Sequence, residues 1–344
     1  MKGFSGVFLA GIWAGIWAGI LAAPAFANDS AAGVGVGGIE LRQTDAVAML
    51  SEDLAVSPTE IRVRYVFRNE TDTPVETIVA FPLPELGPGG LEVERNLPDP
   101  WSDNFVQFQT WIDGQPVPLQ VQHRVMLDGQ DRAADLQALG VSPVPFDAYG
   151  VHSALADLPA QTRQALKQGG FLTEDGFPRW SLQSTFWRTQ VFPPHTEVTV
   201  EHRYVPAAGI SLNSWFPGPE DPATIHDDWW REALAAAHAD YCPEPEALNT
   251  MRAALETGMP EGFATYISAE VDYILTTGAN WRGPIGRFHL VVESPVTLDW
   301  VFTCFPGAQR IAPNRIEATL TDFTPTQDLR VYVSEAMGPG IERP

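Results

Sequence analysis

The segment from Ile61 to Pro84 restricts the fold of this chain more than any other stretch. Its first part places two kinds of side chain on opposite faces of an extended strand: Ile61, Val63, Tyr65 and Phe67 on one, and Arg62, Arg64 and Arg68 on the other. A strand with one charged face is typical of an antiparallel sheet that covers a core on one side. We interpret the arginine face as solvated, with a ligand-binding row as the alternative.

A second strand is expected directly after this one. Asn69–Pro74 is a polar turn, Thr77–Phe81 is an apolar run, and Pro82 and Pro84 remove the backbone donors that would continue it. The two strands together predict a β-hairpin within a β-sandwich.

Strand-like and helix-like patterns alternate in blocks along the 344-residue chain. We predict a mainly β (α+β) protein with antiparallel β-sandwich architecture and helical insertions. The blocks form a signal peptide and four regions: 1–27 signal peptide, 28–127 N-terminal β-sandwich region, 128–180 helical insertion, 181–262 β-hairpin plus helical segment, and 263–344 C-terminal β-rich region. Whether the sandwich regions form one domain or two stays open.

The N-terminus has the pattern of a secretory signal peptide. Lys2 supplies the positive start, Phe4–Ala23 is apolar, and a small-x-small site ends at Ala27, so cleavage is predicted between Ala27 and Asn28. The protein would then reach the periplasm or the cell exterior without a stable membrane span. An uncleaved anchor is the alternative, because the apolar stretch is nearly long enough to cross a bilayer and has small residues at Gly11, Gly15 and Gly19.

The charge of the chain restricts its partners. It contains 43 acidic and 21 basic residues, a formal net charge of −22 at pH 7. Nucleic acids and anionic lipid surfaces bind clustered Lys and Arg, so both are poor partners for this chain. The expected partner is an exported protein or a component of the cell envelope.

The chain has two cysteines, Cys242 and Cys304. An even number of cysteines in an exported protein indicates a disulfide, and here only one pairing is possible. A reactive thiol is the alternative, because His238 lies one helical turn before Cys242.

No motif for a metal, a cofactor or a catalytic nucleophile stands out, so no such residue is predicted. His226-Asp227-Asp228 is interpreted as a solvated helix start, with a cation site or a base as the alternative. Tryptophan is the one compositional excess, with 11 residues. Aromatic platforms bind sugars and peptides, and adjacent tryptophans on a helix cannot both face one core. The candidate binding surface is therefore Trp215, Trp229 and Trp230.

Five segments of the chain resemble an exported bacterial family known as domain of unknown function 4424: residues 27–41, 51–86, 192–206, 275–293 and 321–333. The resemblance covers essentially the whole chain after the signal peptide. It implies export to the periplasm and agrees with a disulfide between Cys242 and Cys304, but it implies no activity. Residues 61–84 are also similar to the opening of the vault and inter-alpha-trypsin (VIT) domain, a β-sandwich module of interaction proteins. The metal-binding domain that usually accompanies it has no counterpart here.

The function expected from these observations is a non-enzymatic, exported binding or envelope-interaction protein. The alternative is a hydrolase of envelope glycans or peptides, which would need two carboxylates across a cleft. A purely structural partner of another exported protein is a third possibility.

Overall fold

A computed structural model describes residues 28–35, 38–87, 94–95, 97–99, 102–144, 155, 157–212, 214–219, 225–257, 265–338 and 341–342. The predicted signal peptide up to Ala27 lies outside the described residues. The described strands, in chain order, are β1 Ser30–Gly35, β2 Gly38–Leu41, β3 Val47–Val56, β4 Ile61–Asn69, β5 Val75–Pro82, β6 Glu94–Arg95, β7 Gln109–Ile112, β8 Gln115–Pro116, β9 Gln120–Leu127, β10 Gln130–Asp131, β11 Ser181–Phe192, β12 Glu197–Tyr204, β13 Gly209–Ser211, β14 Thr265–Tyr273, β15 Ile285–Glu293, β16 Trp300–Phe302, β17 Gln309–Ala312, β18 Arg315–Phe323 and β19 Leu329–Met337.

The described α-helices lie within the helical insertion 128–180 and the region 181–262 that contains the predicted helical segment. They are α1 Ala133–Ala138, α2 Ala160–Gln168, α3 Asp228–Tyr241 and α4 Pro245–Thr257, with a 3-10 helix at Thr276–Asn280. Asp227 caps α3, because its side chain accepts a hydrogen bond from the Trp230 amide at 2.9 Å. Within the described ranges, no helix is both long enough and apolar enough to cross a bilayer.

The strands form three sheets. The N-terminal sheet has the order β10-β9-β11-β5-β1-β2, the central sheet β17-β18-β15-β3-β4-β12-β7-β8, and the C-terminal sheet β16-β19-β14-β13-β6. Among the described strands, all pairs are antiparallel except β3 and β15, which run parallel in the middle of the central sheet. The central sheet therefore joins strands from the first and last thirds of the chain. This confirms the mainly β, largely antiparallel fold class.

The predicted hairpin at Ile61–Pro84 is wrong, because β4 and β5 lie in different sheets. The polar segment between them carries the chain from the central sheet to the N-terminal sheet. The Asn69 side chain holds this corner by donating to the Thr73 and Phe192 carbonyls at 2.8 and 2.9 Å. The strands β11 and β12, also predicted as a hairpin, cross between the same two sheets. Alternation predicts which face of a strand is buried, but not which strand lies beside it.

The alternation of β4 itself gives the predicted burial. Ile61, Tyr65 and Phe67 are fully buried, and Phe67 packs edge-on against Phe192 of the N-terminal sheet with ring centroids 5.9 Å apart. This core contains side chains of all three sheets. Two smaller clusters lie beneath the helices: α3 and α4 cover the C-terminal sheet, and α1 and α2 cover the end of β9.

The arginines of β4 pair with carboxylates on the outer face of the central sheet. Arg62 lies 3.5 Å from Glu293, and Arg64 lies 3.4 Å from Glu201 of the neighbouring strand. These ion pairs are about half exposed and contribute about 0–1 kcal/mol each. The pairing favours the solvated face over a ligand-binding row.

Candidate functional site

A cavity of about 240 Å³ opens where the three sheets meet. Its walls come from four segments: the chain after β5, the loop before β7, the end of β12 with the residues that follow it, and β14. The lining residues are Leu83, Pro84, Glu85, Leu86, Phe105, Val106, Tyr204, Pro206, Ala207, Gly209, Glu270 and Asp272. The volume is below the roughly 300–1,000 Å³ of pockets for drug-sized ligands, so the cavity fits a small molecule.

Proline placement explains why the chain forms a wall here. Pro82 and Pro84 cannot donate to a sheet ladder, so β5 ends and the chain continues beside β11 with fewer bonds. Two backbone bonds of 2.8 and 3.0 Å tie Leu86 to Leu182, and Leu83 donates to Ser184 at 2.8 Å. The buried side chains of Leu83 and Leu86 consequently form the apolar part of the wall.

Three of the lining residues carry carboxylates. Glu270 and Asp272 lie two residues apart on β14, and Glu85 belongs to the chain after β5. Burial raises the pKa of Glu270, although a hydrogen bond from the Tyr241 hydroxyl at 3.0 Å opposes this. Asp272 forms an ion pair with Arg330 at 3.5 Å. The described lining of the cavity contains three carboxylates and no basic residue, so acidic groups outnumber basic ones around it.

Tyr204 also lines the cavity, and its hydroxyl oxygen is buried away from solvent. The residue is 3% exposed, and its hydroxyl forms no hydrogen bond within the described part of the chain. Burial raises the pKa of this hydroxyl, which therefore stays protonated and can donate or accept a hydrogen bond.

A second polar cluster lies deeper, between the sheets. Asp29 lies 3.1 Å from His202 Nε2 and 3.5 Å from Arg188, and His202 Nδ1 shares a hydrogen bond of 2.8 Å with the Thr110 hydroxyl. Hydroxyl, imidazole and carboxylate occur in this order in nucleophilic triads. Thr110, His202 and Asp29 are only 3%, 2% and 0% exposed, so this set lies away from solvent and holds the sheets together.

The structure brings the three predicted tryptophans together. The Trp215 ring centroid lies 4.7 Å from that of Trp230 and 6.3 Å from that of Trp229. Trp229 is 65% exposed, whereas Trp215 and Trp230 are half-buried. The cluster forms because Trp215 follows β13 and the start of α3 packs over it. Its role as a binding surface stays a prediction.

The other predicted positions are the two cysteines, the start of α3 and the predicted cleavage site. Cys242 and Cys304 form a disulfide with Cα atoms 5.0 Å apart, which joins the end of α3 to the segment after β16. His226 and Asp227 are exposed at the start of α3, as a solvated helix start requires. Among the residues that the structure describes, no cluster of three or more His, Cys, Asp or Glu could hold a metal ion. Asn28, on the predicted cleavage bond, is fully buried.

Sequence reasoning missed the cavity residues. Glu85, Tyr204, Glu270 and Asp272 come from distant parts of the chain, and no sequence motif links them. The one available signal was the pair Glu270 and Asp272, which alternation places on the same face of a strand.

The chain has only weak similarity to solved structures. The chain is 14% identical to a protein from Legionella pneumophila named provisionally as a nutrient binding protein, with 89% of this chain and 72% of that one covered and a TM-score of 0.40. It is 10% identical to an M1 zinc metallopeptidase from Deinococcus radiodurans, of which it spans only 44%, with 86% of this chain covered and a TM-score of 0.25. Similarities this weak carry no argument about function.

The chain matches none of the curated proteins. The model of one family, described as Domain of unknown function (DUF4424), matches residues 27–332. That range contains every strand and helix of the described chain except the end of β19. The chain therefore belongs to the DUF4424 family.

Proposed function

We propose that this protein is an exported, periplasmic binding protein that holds a small organic cation in the cavity beside β14. The observation that carries the proposal is the composition of that cavity: apolar walls and three carboxylates. A ligand with an ammonium group and a short apolar part would pair its charge with the carboxylates and bury the rest against Leu83 and Phe105. The N-terminal signal pattern supports export.

The charge distribution favours a cation over a neutral or anionic ligand. Glu270 is half-buried, so a bound ammonium group would stabilise its ionised form and reverse the effect of burial on its pKa. Arg330 pairs with Asp240 as well as with Asp272, so its single positive charge does not balance the carboxylates that line the cavity. An anion would meet three carboxylates and bind poorly.

The test is isothermal titration calorimetry with three probes of similar size: phenethylammonium, phenethyl alcohol and 3-phenylpropionate. We expect the ammonium compound to bind and the other two to bind at least tenfold more weakly. Glu270→Gln and Asp272→Asn should each weaken binding of the ammonium compound about tenfold. Asp322→Asn, which removes an exposed acid outside the cavity, is the matched control. Equal binding of all three probes, or none, would refute the proposal.

A hydrolase is the second candidate, and one observation favours it. The cavity holds carboxylates on separate segments, and the raised pKa of Glu270 suits a general acid. Release of new reducing ends or amines from envelope glycan or peptide fragments, lost in Glu270→Gln, would establish this activity. Binding without product release would support the binding protein.

A further inference from the structure

The first described residues occupy the interior of the protein. Asn28, Asp29 and Ser30 are each 0% exposed. The 3-10 helix and the residue after it hold them: the Thr277 hydroxyl donates to the Asn28 carbonyl at 2.9 Å, and the Trp281 indole donates to the Asp29 carbonyl at 2.7 Å. Such burial is unusual for residues next to a predicted cleavage site, because chain termini are ordinarily at the surface.

Two acids in this buried cluster have different surroundings. The Asp29 carboxylate lies against Arg188 and His202, whose charges outweigh the effect of burial and lower its pKa. The Glu52 carboxylate, also 0% exposed, accepts hydrogen bonds of 3.1 and 3.3 Å from the Asn28 side-chain amide. Within the described ranges, no Lys, Arg or His forms an ion pair with Glu52.

The described groups around Glu52 do not supply a positive charge to neutralise its carboxylate. Its charged neighbours are Asp29 and Asp53, both acids, and the Tyr65 and Tyr273 hydroxyls lie nearby at 3.1 Å from each other. Tyr65 donates to the Asn28 side-chain oxygen, so the amide group of Asn28 is oriented with its nitrogen toward Glu52. A buried carboxylate without a cation is strongly unfavourable.

We propose that cleavage before Asn28 completes this cluster, because the α-ammonium group that it creates becomes the counter-ion of Glu52. A signal peptidase would hydrolyse the Ala27–Asn28 bond with one water molecule, leaving a carboxylate on the released peptide and an amine on Asn28, which takes up a proton. Four covalent bonds of about 1.5 Å separate that nitrogen from the Asn28 amide nitrogen already bound to Glu52. The new charge therefore forms within about 6 Å of that amide nitrogen, on the residue that already contacts the carboxylate.

The inference rests on the export proposed above but is independent of the cavity. In the uncleaved chain, the same nitrogen is a neutral peptide group and Glu52 lacks its partner. Removal of the signal peptide would therefore be a step in completing the core as well as in releasing the protein. The consequence is a mature fold whose stability depends on a free amine at Asn28.

The lysine content of the chain provides a direct test. Lys2 and Lys167 are its two lysines, so the mature protein has two amines: that of Lys167, which is exposed, and that of Asn28. The mature protein is isolated from the periplasm and treated with an acetylating reagent at pH 8, and the modified residues are identified by mass spectrometry. A free α-amine has a pKa of about 8 and ordinarily reacts faster than a lysine, whose pKa is about 10.4.

We expect the reverse order in the native protein, with Asn28 modified at least a hundredfold more slowly than Lys167 and both modified in urea. Glu52→Gln keeps the shape of the side chain and should accelerate modification of Asn28 at least tenfold, whereas Glu60→Gln, on the outer face, should not change it. Fast modification of Asn28 in the native protein, equal protection in Glu52→Gln, or a mature chain that begins elsewhere would each overturn the proposal. If Glu52→Gln does not fold, the pH profile of Asn28 modification in the native protein decides: a pKa raised above 8 supports the pair, and an ordinary one refutes it.

Discussion

Glu52 allows a quantitative prediction of how stability depends on pH. In a chain that keeps a peptide bond before Asn28, burial raises the pKa of Glu52 from 4.5 to about 8, with the Asn28 hydrogen bond opposing and Asp29 and Asp53 adding to the increase. The folded state then holds a proton that the unfolded state has released. Stability is therefore fully present below pH 4.5 and is lost as the pH rises through about 8.

The size of the loss follows from the difference between the two pKa values. Each pKa unit corresponds to about 1.4 kcal/mol, so the loss on going from pH 4.5 to pH 9 is on the order of 5 kcal/mol. No discount for solvent screening applies, because Glu52 is 0% exposed. This is a large share of the roughly 5–15 kcal/mol by which folded domains are stable.

The assay is urea unfolding followed by tryptophan fluorescence at pH 5, 7 and 9, in a chain with an N-terminal extension and in its Glu52→Gln variant. All other titrating groups are shared, so the difference between the two profiles isolates Glu52. We expect the unsubstituted chain to lose several kcal/mol relative to the variant by pH 9. Parallel profiles would show that Glu52 is not a buried, unpaired carboxylate and would refute the reasoning.

Three further predictions concern the disulfide and two tryptophans. Cys242→Ser with Cys304→Ser opens a link between residues 62 positions apart and should lower the free energy of unfolding by roughly 4 kcal/mol in urea titrations, whereas an unchanged midpoint would contradict a structural role. Trp180→Ala should cost about 3–5 kcal/mol, because Trp180 is fully buried in the cluster beneath α1 and α2. Trp229→Ala should change stability by less than about 0.5 kcal/mol, since Trp229 is 65% exposed, and should weaken retention on immobilised envelope glycans if the tryptophan cluster binds sugars. Equal destabilisation by Trp180→Ala and Trp229→Ala would contradict the difference in burial between these two side chains.

Much of the local structure could be predicted because it depends on neighbours in sequence. The face of β4 that is buried follows from period-two alternation, and the start of α3 follows from the capping preference of Asp227. The disulfide could be predicted because two cysteines allow one pairing. The clustering of Trp215 with Trp229 and Trp230 was anticipated only as a candidate surface, and its function is still untested.

The pairing of strands could not be predicted, because alternation within a strand contains no information about which strand lies beside it in the sheet. Residues 69–74 look like a hairpin turn in sequence, yet they cross between two sheets, where the Asn69 side-chain amide donates to the carbonyl of Phe192, 123 positions away. The same limit applies to the cavity. Tyr204, Glu270 and Glu85 meet only after three sheets have assembled.

The sequence by itself determined the fold class, the buried face of β4, the positions of the helices and the family, since each depends on local pattern or on motifs spread along the chain. Only the tertiary structure decided that β3 lies beside β15, that a cavity lined by three carboxylates opens beside β14, and that Asn28 is buried against Glu52. The physical reason is that each of these features depends on which residues, far apart in the sequence, are packed against one another in the folded protein. Neither Glu52 nor Asn28 has a distinctive sequence pattern, and only packing removes both side chains from water.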